Sequence, residues 1–443
     1  MIDSTLPLLV KGYAWLPDRR RRTDGEPVWT RLAGQRAVAL HGTEAVRWFY
    51  DERHVVRKDA LPGPLLDTLF GRGAVHTLDG RPHRTRKAMF LSALKDPRAV
   101  QELADLAATE WDRAAARWAE QDQVVLFDET AEVLTRAVCA WAGVPLPDEP
   151  DGARQTSRDL VAMVDGFATA GPRHFRARGA RKRQEARIAD LVTAERGRNP
   201  APEHLAPQSR TPEAQAPEAG REPSGGRTTA LAAVAHHRDA DGSLLDPHTA
   251  AVEVLNVVRP TVAVSWFVAF AAHALHRWPE ERRRLVDGGA DRALAFAQEV
   301  RRFYPFAPFV AGLAAEEAQW QGEQVPAGTM VLLDLYGLNH DEKLWPDPYA
   351  FDPDRFVGRP PARDELVPQG GGDPATGHRC PGEDVTVALL ATLVPRLAGL
   401  SYEVPDQDLT ISLHRIPTRP HSGFVLSDVR TRDERQLGAA ATR

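Results

Sequence analysis

The sequence is poor in the features that mark export, disulfide frameworks and nucleic-acid binding. Its 443 residues include two cysteines, Cys139 and Cys380, too few for a disulfide framework. The 56 basic and 61 acidic residues give a net charge of −5, so the chain offers nucleic acid no general attraction. An acid at Asp3 and a short apolar stretch at 6–10 do not resemble a secretory signal. We therefore expect a cytoplasmic protein with no nucleic-acid partner.

Long hydrophobic runs are also lacking. The longest uncharged segment, 261–275, is shorter than the roughly 20 residues that a bilayer span requires, so we expect a buried helix and no membrane span. The spacing of apolar residues predicts a mainly α protein with a small β-region. Helices are expected at 42–52, 96–118, 128–142, 151–164, 176–196, 246–277, 291–303 and 383–400, and strands at 29–40, 319–325 and 330–335.

Two internal segments have no regular pattern. Six prolines between 199 and 226, with almost no large apolar residue, predict a mobile surface insertion, with a domain boundary as the alternative. Segment 345–356 is too rich in Pro and Asp for regular structure, which predicts a fixed irregular loop. We expect one domain over 1–430, followed by a polar, frayed tail at 431–443.

Cys380 is the residue whose surroundings first indicate chemistry. It follows a Gly-rich loop, 370–377, and precedes a helix that begins near Glu383. A helix N-terminus lowers the pKa of a thiol, which predicts a metal ligand or a nucleophile. The alternative, a buried inert thiol, fits Cys139 on its apolar helix better.

Two further motifs precede Cys380 in a fixed order. Glu299 and Arg302 lie three residues apart on one helix face, and the irregular loop then ends in Pro353-Asp354-Arg355-Phe356. This succession resembles the haem-thiolate cytochrome P450 superfamily over most of the chain. The resemblance implies the cytochrome P450 fold, with heme b between the long central helix and the loop of Cys380, its metal ligand. It also implies a buried ion-pair network of Glu299, Arg302 and Arg355.

The sequence departs from the usual superfamily pattern at two places. Asp373 and His378 stand where the ligand loop ordinarily has Phe and Arg, and segment 257–262 lacks the acid and alcohol that deliver protons in most members. Instead, Arg259 is the only formally charged residue between 253 and 277. A buried guanidinium needs an anion, unless it reaches solvent from the helix end or Glu253 reaches back to it.

The pair Arg259-Pro260, the ligand loop at 378–382 and segment 69–80 together resemble the fatty-acid peroxygenases of that superfamily, which use hydrogen peroxide. The resemblance implies that Arg259 holds a fatty-acid carboxylate beside the iron, where Pro260 distorts the helix. It also places His76 where alkene-forming decarboxylases have His and hydroxylating members have Gln.

The expected reaction is therefore hydrogen-peroxide-dependent oxidation of a long-chain free fatty acid, with no obligatory redox partner. Oxidative decarboxylation to a terminal alkene is expected together with α- and β-hydroxylation. The alternatives are a hydroxylase with little decarboxylation, in which His76 only packs near the haem, and a reductase-dependent haem monooxygenase. A haem-thiolate sensor or fatty-acid-binding protein without turnover is a further alternative.

The same resemblance implies cofactor-binding and substrate-binding side chains, each with a plainer alternative. Haem propionates require cationic donors, which a surface charge could also resemble. The acyl chain requires apolar contacts, which ordinary core aromatics also resemble. The expected haem-binding residues are Arg57, His83, Lys87 and His378, and the expected substrate contacts are Phe70, Phe306 and Phe309.

Overall fold

The structure is a computed structural model that describes residues 2–23, 26–198 and 227–431. The expected insertion at 199–226 and the tail from 432 lie outside the described residues. The helices are α1 Thr5–Lys11, α2 Trp15–Arg20, α3 Thr43–Phe49, α4 Gly63–Leu65, α5 Gly80–Leu94, α6 Pro97–Trp118, α7 Leu126–Ala142, α8 Gly152–Asp165, α9 Pro172–Arg198, α10 Ala230–Ala235, α11 Pro247–Val262, α12 Val264–Arg277, α13 Pro279–Asp287, α14 Gly289–Phe303, α15 Leu335–Asn339 and α16 Glu383–Gly399. The predicted mainly α fold with a small β-region is confirmed.

Side-chain caps explain where several of these helices begin. Asp96 accepts a hydrogen bond from the backbone N–H of Arg98 at 2.9 Å, and proline follows as the first residue of α6. Asp246 caps α11 in the same way, accepting from the N–H groups of His248 and Thr249. Because a capping Asp followed by proline is a local signal, the sequence places both helix starts within one residue.

The predicted helix at 246–277 is two helices, α11 and α12, which meet at Ala263. Pro260 has no N–H to donate, and the side chain of Thr261 donates to the carbonyl of Val257 at 2.9 Å. Among the described residues, 247–277 is the one helical span long and apolar enough to cross a bilayer, and 94% of its most apolar window is buried inside the protein. The surface of this span is therefore used in packing against neighbouring helices.

The strands form three small sheets. The largest has the order β1-β2-β8-β5-β3, in which β2 pairs parallel to β8 and the other pairs are antiparallel. A second sheet has the order β4-β10-β9. The strands are β1 Val28–Leu32, β2 Gln35–Leu40, β3 Val55–Val56, β4 Gln123–Val125, β5 Phe309–Ala314, β6 Ala318–Trp320, β7 Glu323–Val325, β8 Met330–Asp334, β9 Ser401–Glu403 and β10 Val425–Arg430.

The single strand predicted at 319–325 is wrong, because this segment is the hairpin β6-β7. Its turn is formed by Gln321 and Gly322, both with positive φ, and a strand cannot continue through two left-handed residues. The apolar alternation that predicted a strand is present on both sides of the turn.

Candidate active site

The loop of Cys380 is built on close backbone approaches. Gly370 and Gly372 have φ of 94° and 78°, and a Cβ on either would overlap with the side chain of Tyr50. The backbone N–H of Cys380 donates to the carbonyl of Gln369 at 3.4 Å. The glycines therefore allow the loop to fold tightly before α16 begins at Glu383.

The pKa of Cys380 differs from the sequence-based prediction. Burial raises the pKa of the thiol and outweighs the lowering by the backbone N–H of Gly382 and by the charges of Lys87 and Arg301. The prediction of a lowered pKa was therefore wrong for the protein alone, because helix-terminal stabilisation is smaller than desolvation at this depth. A bound metal ion deprotonates a thiol ligand by its own charge.

A polar network behind this loop was missed by sequence reasoning. Gln369 places its Nε2 3.9 Å from the Cys380 Sγ and accepts a hydrogen bond from Arg301 at 3.1 Å. Arg301 also pairs with Glu383, which accepts from Arg379 at 2.7 Å. Arg301 is 68 positions from Gln369 and 82 positions from Glu383 in the chain, so no local sequence pattern connects these residues.

The structure brings Glu299, Arg302 and Arg355 together as the sequence predicts. Glu299 and Arg302 are completely buried and form a two-bond ion pair at 2.7 Å. The Arg355 Nε lies 3.8 Å from the same carboxylate, so its contact is looser. Arg302 also donates to the carbonyls of Asn339, Pro348 and Ala350, which fixes the irregular loop at 345–356.

The four predicted haem-binding residues also lie together. The rings of His83 and His378 stack with centroids 3.9 Å apart, and Lys87 donates to the carbonyls of Gly377 and Arg379 in the ligand loop. Arg57 is buried over the ring of Phe49, at 4.2 Å.

The donors in this cluster fit a haem propionate. Arg57 Nη1 and His83 Nδ1 are buried and have no hydrogen-bond partner among the described residues, so an anion beside them would satisfy both. Burial lowers the pKa of His83 to about 3 and that of Lys87 to about 8. Two carboxylates were missed here: Asp79 lies 3.3 Å from the His378 Nε2, and Glu52 lies 3.8 Å from the His83 Nδ1.

Arg259 lies buried on α11, with 5% of its surface exposed. Its Nη2 donates to the Asn256 Oδ1 at 3.3 Å, and its Nε has no hydrogen-bond partner within the described ranges. No Asp or Glu in the described part of the chain forms an ion pair with it within 4 Å. Burial, and then the charge of Arg181, lowers the pKa of Arg259 to about 9. The two alternatives for Arg259, contact with solvent and pairing with Glu253, are both wrong. The guanidinium does not reach solvent, and Glu253 binds other groups.

Glu253 binds three other groups, which belong to Val75, Arg86 and Asn256. Its Oε1 accepts from the backbone N–H of Val75 at 2.7 Å and lies 3.3 Å from the Arg86 Nη1. Burial raises the pKa of Glu253 to about 7, and the basic group beside it is Arg86, so Arg259 is left without an acidic partner among the described residues.

His76 lies in a short 3₁₀ turn, Val75–Thr77, beside the ring of Phe70, with centroids 4.8 Å apart. Its buried Nδ1 has no hydrogen-bond partner in the part of the chain that the structure describes. Burial, and then the charge of Arg259, lowers the pKa of His76 to about 3, so the imidazole is neutral at pH 7. In the protein without substrate it can offer or accept a hydrogen bond but carries no extra proton.

The three predicted substrate-contact phenylalanines do not all lie in one place. Phe70 contacts His76, and Phe306 packs against Phe267 of α12 with centroids 4.5 Å apart. Phe309 packs edge-on against Trp15 within the β-sheet core, the plainer alternative for this residue.

Comparison with known proteins gives matches of two kinds. A family model described as Cytochrome P450 matches residues 294–384. Cyclooctat-9-en-7-ol 5-monooxygenase of Streptomyces melanosporofaciens is 26% identical over 268 residues, 56% of this chain and 52% of that protein. Dimethylnonatriene synthase of Zea mays is 32% identical over 34% of this chain and 33% of its own length. The matched regions thus span about half or less of these curated relatives.

Solved structures also match nearly the whole chain, as three of them show. A point mutant of cytochrome P450SP alpha (CYP152B1) is 40% identical over 97% of this chain and 99% of its own, with a TM-score of 0.88. Cytochrome P450EX alpha (CYP152N1) with myristic acid is 37% identical over 97% of both chains, with a TM-score of 0.85. A point mutant of cytochrome P450 OleT with arachidonic acid is 34% identical over 97% of this chain and 96% of its own, with a TM-score of 0.87.

Proposed function

The chain belongs to the cytochrome P450 superfamily and within it to the CYP152 branch, and from this premise we propose that it oxidises long-chain free fatty acids with hydrogen peroxide. The superfamily implies a haem iron held by a cysteine thiolate, and Cys380 is the matching residue. The proposed products are a terminal alkene, formed by oxidative decarboxylation, and the α- and β-hydroxy acids.

The observation that carries this proposal is the guanidinium of Arg259, which is buried and has no Asp or Glu partner among the described residues. A buried charge that the protein does not neutralise is costly, and a carboxylate from outside the protein is the partner that a guanidinium binds best. Two of the similar structures contain the fatty acids myristic acid and arachidonic acid. A fatty acid bound through its carboxylate to Arg259 would have its α- and β-carbons closer to the guanidinium than the rest of its chain.

The remaining roles follow from the positions of the side chains. Haem, when bound, supplies the oxidising chemistry with peroxide as the two-electron oxidant. Arg259 binds and orients the carboxylate, Pro260 interrupts the helix beside it, and the neutral His76 donates or accepts one hydrogen bond. Phe70 and Phe306 exclude water from the acyl chain.

Both proposed reactions balance with one molecule of peroxide. In decarboxylation, the acid loses CO₂, its carboxyl proton and one β-hydrogen, and the two hydrogens reduce peroxide to two molecules of water. In hydroxylation, one C–H bond becomes C–OH, and peroxide is reduced to one molecule of water. A second candidate function is a hydroxylase with little decarboxylation. It is favoured by the neutral state of His76, because a neutral imidazole is a weaker proton donor to a bound carboxylate than an imidazolium.

The test is turnover of purified holoprotein with hexadecanoic acid and hydrogen peroxide, without a nicotinamide cofactor or a reductase. We expect pentadecene and 2- or 3-hydroxyhexadecanoic acid, identified by mass spectrometry. Cys380→Ser is the negative control for haem-thiolate chemistry. Products that appear only with a reductase and NADPH would instead indicate a conventional monooxygenase, and spectral binding without product would indicate a sensor.

A further inference from the structure

A buried carboxylate connects the two sides of the proposed fatty-acid site. Glu253 of α11 is fully buried, and its Oε1 accepts from the N–H of Val75, the residue before His76. Its Oε2 accepts from the Asn256 Nδ2 at 3.1 Å, one helical turn before Arg259. The same side chain thus touches both segments that carry the proposed carboxylate-binding groups.

Glu253 also determines which way the Asn256 amide faces. The Asn256 Nδ2 donates one hydrogen to Glu253 and the other to the carbonyl of Phe70, at 3.1 Å each. Because a carboxylate only accepts hydrogen bonds, it holds the amide NH₂ towards itself. The Asn256 Oδ1 is then turned to Arg259, whose Nη2 donates to it at 3.3 Å.

Glu253 pairs with Arg86 and not with Arg259. Arg86 lies 3.3 Å from Glu253, donates to the carbonyl of Gly73, and pairs on its other side with Asp239. This arrangement keeps the Glu253 carboxylate in place and away from Arg259. An acid that paired with Arg259 directly would compete with a fatty acid for the guanidinium.

We propose that Glu253 is a positioning residue that aligns Arg259, through Asn256, and His76, through Val75, to receive one fatty-acid carboxylate. This inference rests on the proposed function, because it takes a fatty acid as the ligand. A carboxylate held by two aligned groups has one register relative to the haem. Glu253 therefore also influences which carbon, α or β, is oxidised.

The first test is Glu253→Gln. The new amide can still accept from the N–H of Val75, but it then points its NH₂ at the NH₂ of Asn256. Asn256 must rotate, and its NH₂ then faces the donors of Arg259. We expect the holoprotein to bind hexadecanoic acid at least tenfold more weakly and to change its ratio of α- to β-oxidised products. Imidazole, a neutral ligand of the iron that does not require Arg259, should bind within twofold of wild type.

A second variant, Asn256→Ala, removes the link to Arg259 and leaves Glu253 on Val75 and Arg86. It should also weaken hexadecanoic acid binding at least fivefold, and it decides the question if Glu253→Gln does not fold. The matched control is Glu132→Gln, a buried carboxylate held by Arg136 and Arg154 on α7 and α8. This change should leave both affinities unchanged.

Fatty-acid affinity within twofold of wild type in either folded variant of Glu253 or Asn256 would overturn the inference. A crystal structure of the Glu253→Gln holoprotein gives an independent answer. The Arg259 and His76 side chains should be displaced in it, and unchanged positions would also overturn the inference. If the wild-type protein does not bind or oxidise hexadecanoic acid, the proposed function fails, and the crystallographic comparison still decides the role of Glu253.

Discussion

Replacing Arg259 by leucine should make the protein more stable and, at the same time, unable to bind fatty acid. Burial, and then the charge of Arg181, lowers the pKa of Arg259 from its ordinary value to about 9. Each pKa unit corresponds to about 1.4 kcal/mol, so the charged side chain costs the fold up to about 5 kcal/mol at pH 7. Imperfect packing of leucine reduces the gain to about 3 kcal/mol, which raises Tm by roughly 3 °C for a chain of this length.

The assay is thermal unfolding of the holoprotein by circular dichroism, with and without hexadecanoic acid. Fatty acid at 100 times its Kd should stabilise the wild-type protein by about 2.7 kcal/mol and should not stabilise Arg259→Leu. Arg302→Leu is the matched control, because it removes a buried guanidinium that is paired, and it should destabilise by about 3 to 5 kcal/mol. The reasoning is refuted if Arg259→Leu is less stable than wild type, or if fatty acid stabilises it as much.

Three further predictions concern the same site. Fatty-acid affinity should fall as pH rises through about 9, because Arg259 of the free protein then loses its proton, whereas a flat Kd from pH 7 to 10 in spectral titrations would contradict this. His76→Gln should lower the ratio of alkene to hydroxy acid severalfold by mass spectrometry, and an unchanged ratio would remove His76 from the reaction. Gly71→Ala should destabilise by about 2 kcal/mol in urea unfolding, because φ is 88° there and a Cβ would overlap with Arg181 and Val252, whereas an unchanged midpoint would show that the loop adapts.

The sequence predicted the features that depend on local signals. The spacing and composition of the residues placed α6 and the start of α11 within one residue, and the order of three motifs indicated the family. The hairpin β6-β7 was missed because the alternation on both sides hides a two-residue turn.

The parts of the site that were missed depend on contacts between distant segments. Glu253 reaches Val75 across 178 positions, and Arg301 reaches Gln369 across 68. The sequence also did not predict how deeply the side chains of Cys380 and His76 are buried. Burial raises the pKa of Cys380, whereas the sequence predicted a lowered pKa. Burial also lowers the pKa of His76, so that the imidazole is neutral at pH 7.

The contacts of Arg302 bear on the order in which the holoprotein is assembled. All its partners are atoms of the polypeptide: the carboxylate of Glu299 and the carbonyls of Asn339, Pro348 and Ala350. The part of the fold around Arg302 can therefore form during synthesis, before haem binds. Heterologous expression with a limited supply of haem precursor should then accumulate a folded apoprotein that takes up haem added later.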